Sequence, residues 1–265
     1  MSCDLTLLIP GTAFRYSRRR KSEMNASRAH LESLLRTRQL DRTLTSSLPP
    51  VHVDAAPSGL ITLDAPLGSG FPRGQVSELV GSRSSGRTSV MLQMIASATA
   101  RGELVGLIDA LDMFDVESAV AAGVDLDRVL WIRGHVVINP GMCRDLNQRA
   151  LEQALRAFTL VLQAGKFGLV IFDVAEAPSA ALRRLPFTTW LRVQRIVEGS
   201  STVCLLVGSD PMARSTAGLT LRLGTPESKP ASRFGGRLFD GLDVDTQIVR
   251  ARHSHVRVHL QTACG

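Results

Sequence analysis

Residues Phe71 to Met91, FPRGQVSELVGSRSSGRTSVM, restrict the fold more than any other stretch of the chain. A Pro-Arg-Gly turn feeds a short apolar strand, Val76 to Val80, and a glycine-rich loop follows it. An amphipathic helix then leaves the loop with Val90, Met91, Met94, Ile95 and Ala98 at helical spacing. The loop residues Gly81, Ser82, Arg83, Ser84, Ser85, Gly86, Arg87 and Thr88 fit the phosphate-loop pattern G-x-x-x-x-G-K-[ST] at every fixed position except one, where Arg87 replaces lysine. Gly81 and Gly86 permit backbone conformations that let successive N–H groups face phosphate oxygens, and the helix N-terminus at Thr88 and Ser89 adds partial positive charge. Thr88 has the hydroxyl that would hold a magnesium ion between phosphates. Arg87 keeps a cation at its position, but a planar guanidinium is bulkier than an ammonium and cannot reproduce its point contact. Binding is expected and turnover is not. The competing reading, a surface turn rich in serine and glycine, has to explain why strand and helix flank it in the required order.

The downstream pattern agrees with that start. Leu104 to Asp109 reads as a buried strand, Phe114 to Ala122 as a helix closed by Gly123, and Val129 to Ile132 as another strand. Arg149 to Gln163 has a clear helical face of Leu151, Ala154, Leu155, Phe158 and Leu162. It leads into Phe167 to Asp173, an apolar run ending in a carboxylate, as the magnesium-orienting strand of phosphate-loop proteins does. Asp173 is therefore a candidate magnesium partner of Thr88, or else a loop or capping residue. A further helix, Trp190 to Val197, and a strand, Thr202 to Val207, continue the alternation, which implies a parallel sheet covered on both faces. The segments Leu219 to Leu223, Asp245 to Arg250 and Val256 to Leu260 have no helices between them and are expected as antiparallel additions at the sheet edge. The alternating residues 59–71, GLITLDAPLGSGF, are expected as an edge strand and connector.

The predicted fold class is thus α/β, a phosphate-loop core with a mainly parallel sheet, in residues 59–265. Residues 1–58 are expected to be a basic arm, with nine Lys or Arg against five acids, including Arg15, Arg18, Arg19, Arg20 and Lys21. Such a run attracts nucleic acid or an acidic partner, or is simply solvated. Ala29, Leu31, Leu34 and Leu35 give an apolar stripe to a helix from about Asn25 to Leu40, which would pack on its own core or on a neighbouring subunit. The four cysteines are scattered without CxxC spacing, and no 18-residue apolar run or signal-peptide pattern is present, so a cytoplasmic protein with reduced thiols and no membrane partner is expected. His253, His255 and His259 share a strand face with Arg257, whose charge would repel a cation, so no structural metal is expected.

Residues 59–112 resemble the RecA family in the order of connector, strand, phosphate loop, helix and second strand. The likeness weakens between 115 and 165, then returns at VIFD, at TVCLLVGS and at DTQIVRARHSHVRVHLQ. It implies a RecA-like fold that binds ATP with magnesium, and it makes the departures informative. Where the recombinases carry a catalytic glutamate just after the second strand, this chain has Leu111, which cannot accept a proton; Asp112 is next to it, although a one-residue shift points a side chain elsewhere. Ser209 replaces the glutamine that senses the γ-phosphate. Together with Arg87, these changes argue against efficient hydrolysis. The segment from Gly208 to Gly218 is shorter than the loop that recombinases insert into DNA, so strand exchange is not expected, and the family's C-terminal domain is expected to be absent. Arg250 and Arg252 match basic residues that reach a neighbour's nucleotide in recombinase filaments; here they would meet phosphate, a partner's acidic group or water.

This trimmed pattern is similar to the ImuA family, accessory proteins of bacterial mutagenic translesion synthesis. That resemblance implies translesion polymerase components or the RecA recombinase as partners; the basic arm is the candidate DNA contact, and a homo-oligomer would form through the Asn25 to Leu40 helix. The alternative is a DNA-dependent ATPase of the recombinase class acting in homologous recombination and repair, with Asp112 recruited as the base.

Overall fold

A computed structural model describes residues 54–134, 144–213, 218–225, 227–228, 241–251 and 257–263. All belong to the second of the two units into which the chain divides, Met1–His52 and Val53–Gly265. The basic run at 15–21, the helix carrying Leu31, Leu34 and Leu35, Arg252, His253, His255 and the side chain of Arg250 lie outside the described residues.

The first described elements correct one expectation. Strand β1 (Ala55–Ala56) leads not into an edge strand but into helix α1 (Ile61–Leu67), and β2 (Phe71–Pro72) then pairs antiparallel with β1. Hydrogen bonds in the turn just ahead of the helix accompany the difference. The Asp64 carboxylate accepts from the Ser58 and Gly59 N–H groups at 2.9 and 3.3 Å, and Ser58 Oγ accepts from Leu60 N–H at 3.1 Å, which folds the entering chain back onto the first helical turn. Leu60, Leu63 and Leu67 pack on the core at i, i+3, i+7 spacing, with Leu63 fully buried. Gly70, at φ +122°, has no room for a Cβ, which would collide with the Ala56 carbonyl.

The main sheet starts with β3 (Gln75–Gly81), which feeds α2 (Arg87–Ala100). There follow β4 (Val105–Asp109), α3 (Val116–Ala121), β5 (Val129–Arg133), α4 (Arg144–Ala164) and β6 (Leu169–Asp173). Next come α5 (Ser179–Leu182), α6 (Phe187–Val197), β7 (Val203–Gly208) and β8 (Leu219–Leu223). β9 (Glu227–Ser228), β10 (Gly241–Ala251) and β11 (Arg257–Ala263) complete the described elements. Strand order is β11-β10-β8-β3-β7-β6-β4-β5, with β9 beside β10.

Strands β8, β3, β7, β6, β4 and β5 pair parallel to their neighbours, whereas β10 and β11 are antiparallel additions. β8 therefore corrects the expectation that all three C-terminal segments are antiparallel. It runs parallel to β3, so the connection from β7 carries the chain past β3 to its far side.

Alternate side chains of the central strands enter opposite layers, which is why these strands read as continuous apolar runs. In β6, Leu169 and Ile171 join the layer beneath α2, while Val170 and Phe172 join the layer beneath α4 and α6; in β7, Val203, Leu205 and Val207 divide from Cys204 and Leu206 in the same way. Phe158 of α4 stacks on Phe172 with ring centroids 5.0 Å apart. The Cys204 thiol is fully buried and free, and burial pushes its pKa above the ordinary thiol range.

Candidate phosphate-binding site

The site forms where the carboxyl ends of β3, β6 and β4 meet the N-terminus of α2, the edge at which open α/β sheets take ligands. Strand register aligns Asp109 with Asp173, and Asp173 with Val207, so residues more than 60 positions apart share one edge. Gly81 ends β3 in a crowded place: a Cβ there would come within 2.5 Å of Ser85 Oγ and 2.9 Å of the Leu223 carbonyl. The loop then turns through Ser84 at φ +61° and Gly86 at φ +88°, and Ser85 N–H donates to the Ser82 carbonyl at 3.2 Å. Gly86 caps α2 without any side-chain hydrogen bond, which leaves the first turn's N–H groups open to an external acceptor.

Two buried polar atoms of the loop have no hydrogen-bond partner among the described residues. Ser85 is 1% exposed with its Oγ unsatisfied, and Arg87 is 6% exposed with Nη1 unsatisfied. Such atoms are costly to leave unpaired and mark a place where a ligand would be welcome. A cavity of about 100 Å³ next to the Arg87 guanidinium brings together Arg87, Thr88 and Asp173 from the expected set. Leu111 also lines it, an apolar side chain at the position where the resemblance expects a base. Ser82, Arg83, Ser84 and Ser89 are exposed on the loop and the first helical turn.

Sequence reasoning missed three carboxylates' environments here. Asp109 is buried, accepting from Met113 N–H at 3.0 Å, Phe114 N–H at 2.8 Å and Trp131 Nε1 at 3.3 Å, and it thereby holds the β4–α3 turn against the cavity. Burial pushes the Asp173 carboxyl up to about 6; neighbouring Asp109 also raises it, while the Ala175 N–H and Arg87 work in the opposite direction. Glu176, which follows Asp173 by three residues, accepts from Arg83 Nη2 at 2.7 Å and lies 3.5 Å from Arg87 Nη2. The available signal was an acid just past the strand end, but its arginine partners lie 93 and 89 residues away in sequence.

Two other candidates are not brought to the cavity. The Asp112 carboxylate takes a bidentate pair from Arg133, both distances 2.7 Å, and the hydrogen bonds and charge of that guanidinium hold its pKa below the usual carboxylate value. Arg133 in turn lies over the Trp131 ring at 4.7 Å. Asp112→Asn is therefore expected to leave any ATP turnover unchanged in a steady-state assay; abolished turnover would restore Asp112 as a base. Ser209 belongs instead to a separate cavity of about 350 Å³, lined also by Arg183, Arg184, Phe187, Trp190 and Asp210. Among the described residues there is no group of three or more His, Cys, Asp or Glu placed to hold a metal ion, and no helix long and apolar enough to cross a membrane.

Fold and site together define a phosphate-loop α/β protein. Residues 43–182, more than half of the chain, match the family model described as the RecA N-terminal domain, and the chain belongs to that family. It is similar to Protein RecA of Chlorobaculum parvum, 29% identical over 202 residues that cover 71% of this chain and 52% of that protein. Protein RecA of Acholeplasma laidlawii is 29% identical over 196 residues, 68% of this chain and 54% of that protein. Protein RecA of Corynebacterium urealyticum is 38% identical over 130 residues, 49% of this chain and 31% of that protein. The chain spans about half the length of the first two of these relatives.

Proposed function

We propose that this chain is a non-catalytic or weakly catalytic RecA-like accessory protein of the bacterial DNA-damage response and translesion synthesis, acting through protein–protein contacts with nucleotide binding optional. The observation that carries this reading is Leu111 lining the cavity beside Arg87, Thr88 and Asp173, with the adjacent Asp112 held by Arg133. The loop fits a phosphate group: its helix N-terminus is uncapped by side chains, and Ser85 Oγ and Arg87 Nη1 lack acceptors. Residues 81–89 would bind the phosphates of ATP, and Thr88 with Asp173 would hold magnesium. ATP with magnesium would supply a phosphoanhydride open to attack by water. Around it this chain offers poor proton acceptors, because Leu111 is apolar, Asp109 is engaged by three N–H groups and each Glu176 oxygen faces an arginine.

The translesion polymerase components and the RecA recombinase are the proposed partners, with Leu31, Leu34 and Leu35 as the docking stripe, the basic arm as the DNA contact, and Arg250 and Arg252 as contacts to a partner or to a neighbouring subunit's phosphate. Assembly with a second copy belongs to the same reading, and so does a cytoplasmic location.

The test is a thermal shift with ATP, with and without magnesium, on wild type and Thr88→Ala, alongside ATP turnover with single-stranded DNA. A magnesium-dependent rise in Tm that is lost in the variant, with no DNA-stimulated turnover, is the expected result. Robust DNA-stimulated turnover would overturn the accessory reading in favour of the ATPase.

A further inference from the structure

The phosphate loop has an anion of its own. Glu176 sits at the mouth of the cavity that Arg87, Thr88 and Asp173 line, and its two oxygens face two guanidinium groups of the loop: Oε2 is 2.7 Å from Arg83 Nη2 and Oε1 is 3.5 Å from Arg87 Nη2. The two contacts differ in character. Arg83 is largely exposed, so its close pair is screened by water, whereas Arg87 is 6% exposed and its contact is long for a charge-assisted hydrogen bond.

A carboxylate has two oxygens and a single charge. As placed, Glu176 meets Arg87 through Nη2 alone, and Arg87 Nη1 is buried without a hydrogen-bond partner among the described residues. A terminal phosphoryl group has three oxygens and more charge, and the same space would let it meet both arginines and Nη1 together. The long Arg87 contact and the unmet Nη1 are the physical mark of a stand-in.

We propose that Glu176 is an internal competitor for the terminal phosphate of a nucleoside di- or triphosphate: it occupies the anion site of the Arg87 loop and must be displaced for the nucleotide to bind. This rests on the nucleotide-binding reading above and deepens it. Arg87 then sets specificity as well as affinity. A ligand ending in a single carboxylate gains little over Glu176, whereas a phosphoryl terminus adds charge and a third oxygen.

The experiment measures binding of ATP and of inorganic pyrophosphate, each with magnesium, by isothermal titration to the full-length chain as wild type, Glu176→Gln and Glu176→Ala. Both variants change a partly exposed turn residue, and circular dichroism with thermal melting checks that each is folded. The expected result is at least a tenfold lower Kd in both variants for both ligands, together with a steeper fall of affinity with added salt than in wild type, because the two arginines are no longer partly neutralised. If wild type and variants bind equally, or the variants bind more weakly, Glu176 is not a competitor while nucleotide binding itself stands. If no form of the protein binds either ligand, the nucleotide reading fails and the competitor fails with it.

Discussion

Asp173→Asn should make the nucleotide-free, metal-free protein more stable at neutral pH, by roughly 1–3 kcal/mol. In the folded protein, burial raises the Asp173 carboxyl from 3.8 to about 6. The folded state therefore holds its proton in a range where the unfolded chain has already released it. The sign follows directly: stability contributed by the protonated group is present below about pH 4, falls as pH rises toward 6, and is absent above it. An asparagine keeps the shape, can still accept from the Ala175 N–H as Asp173 Oδ1 does at 2.9 Å, and never ionises. Urea titrations at pH 4.5 and pH 8 check this. Wild type should lose stability between the two pH values relative to the variant, and parallel behaviour would show that Asp173 is well solvated. The same substitution should abolish any magnesium-dependent response to ATP, because a neutral amide is a poor magnesium ligand. An ionisable group kept at a site at some expense to the fold is the usual pattern of functional residues.

The second large effect is expected at Glu78, a fully buried carboxylate in β3. One oxygen accepts from the Met212 and Ala213 N–H groups, both at 2.7 Å, and the other accepts from Thr220 Oγ1 at 2.8 Å. These bonds tie β3 to the segment that leaves β7 and to β8, the two strands that flank it. Glu78→Ala removes the acceptor of three donors at once and opens a void, so a loss on the order of 3–5 kcal/mol is expected in chemical denaturation. Hydrogen exchange should also quicken at the Met212 and Ala213 amides. Glu78→Gln, which keeps one carbonyl oxygen, should fall between the two. A loss below about 1 kcal/mol for the alanine variant would mean that the connection is held by apolar packing alone.

Glu78 also illustrates where sequence reasoning ends. Its strand was legible, since Val76, Leu79 and Val80 mark a short apolar run before a glycine-rich loop. Its role was not, because the partners lie 134, 135 and 142 residues away. The same division applies to Glu176 and to Asp112. An acid three positions beyond a strand end, and another at a turn, look alike on paper. One faces two arginines of the loop and the other pairs with Arg133, and only the packed turns distinguish them. The helix Ile61–Leu67 was hidden by a different cause. Seven residues that alternate apolar and polar satisfy both strand and helix spacing, and the Ser58–Asp64 hydrogen bond ahead of the helix is a local bond rather than a pattern.

What the sequence determined by itself was the strand, glycine-rich loop and helix from β3 to α2, the alternation that builds a parallel sheet, and the placement of Arg87 and Leu111 at positions where the resemblance expects a lysine and a glutamate. These follow from local preferences: glycine at a tight loop, period-two and period-3.6 apolar spacing, and one charged side chain in place of another. Tertiary structure alone decided that β8 runs parallel to β3, that Ser209 opens onto a second cavity, and that Arg87 meets Glu176 while its Nη1 is left without an acceptor. Each of those depends on which distant chain end lies beside which, and on how many oxygens a buried cation finds there once the sheet has closed around it.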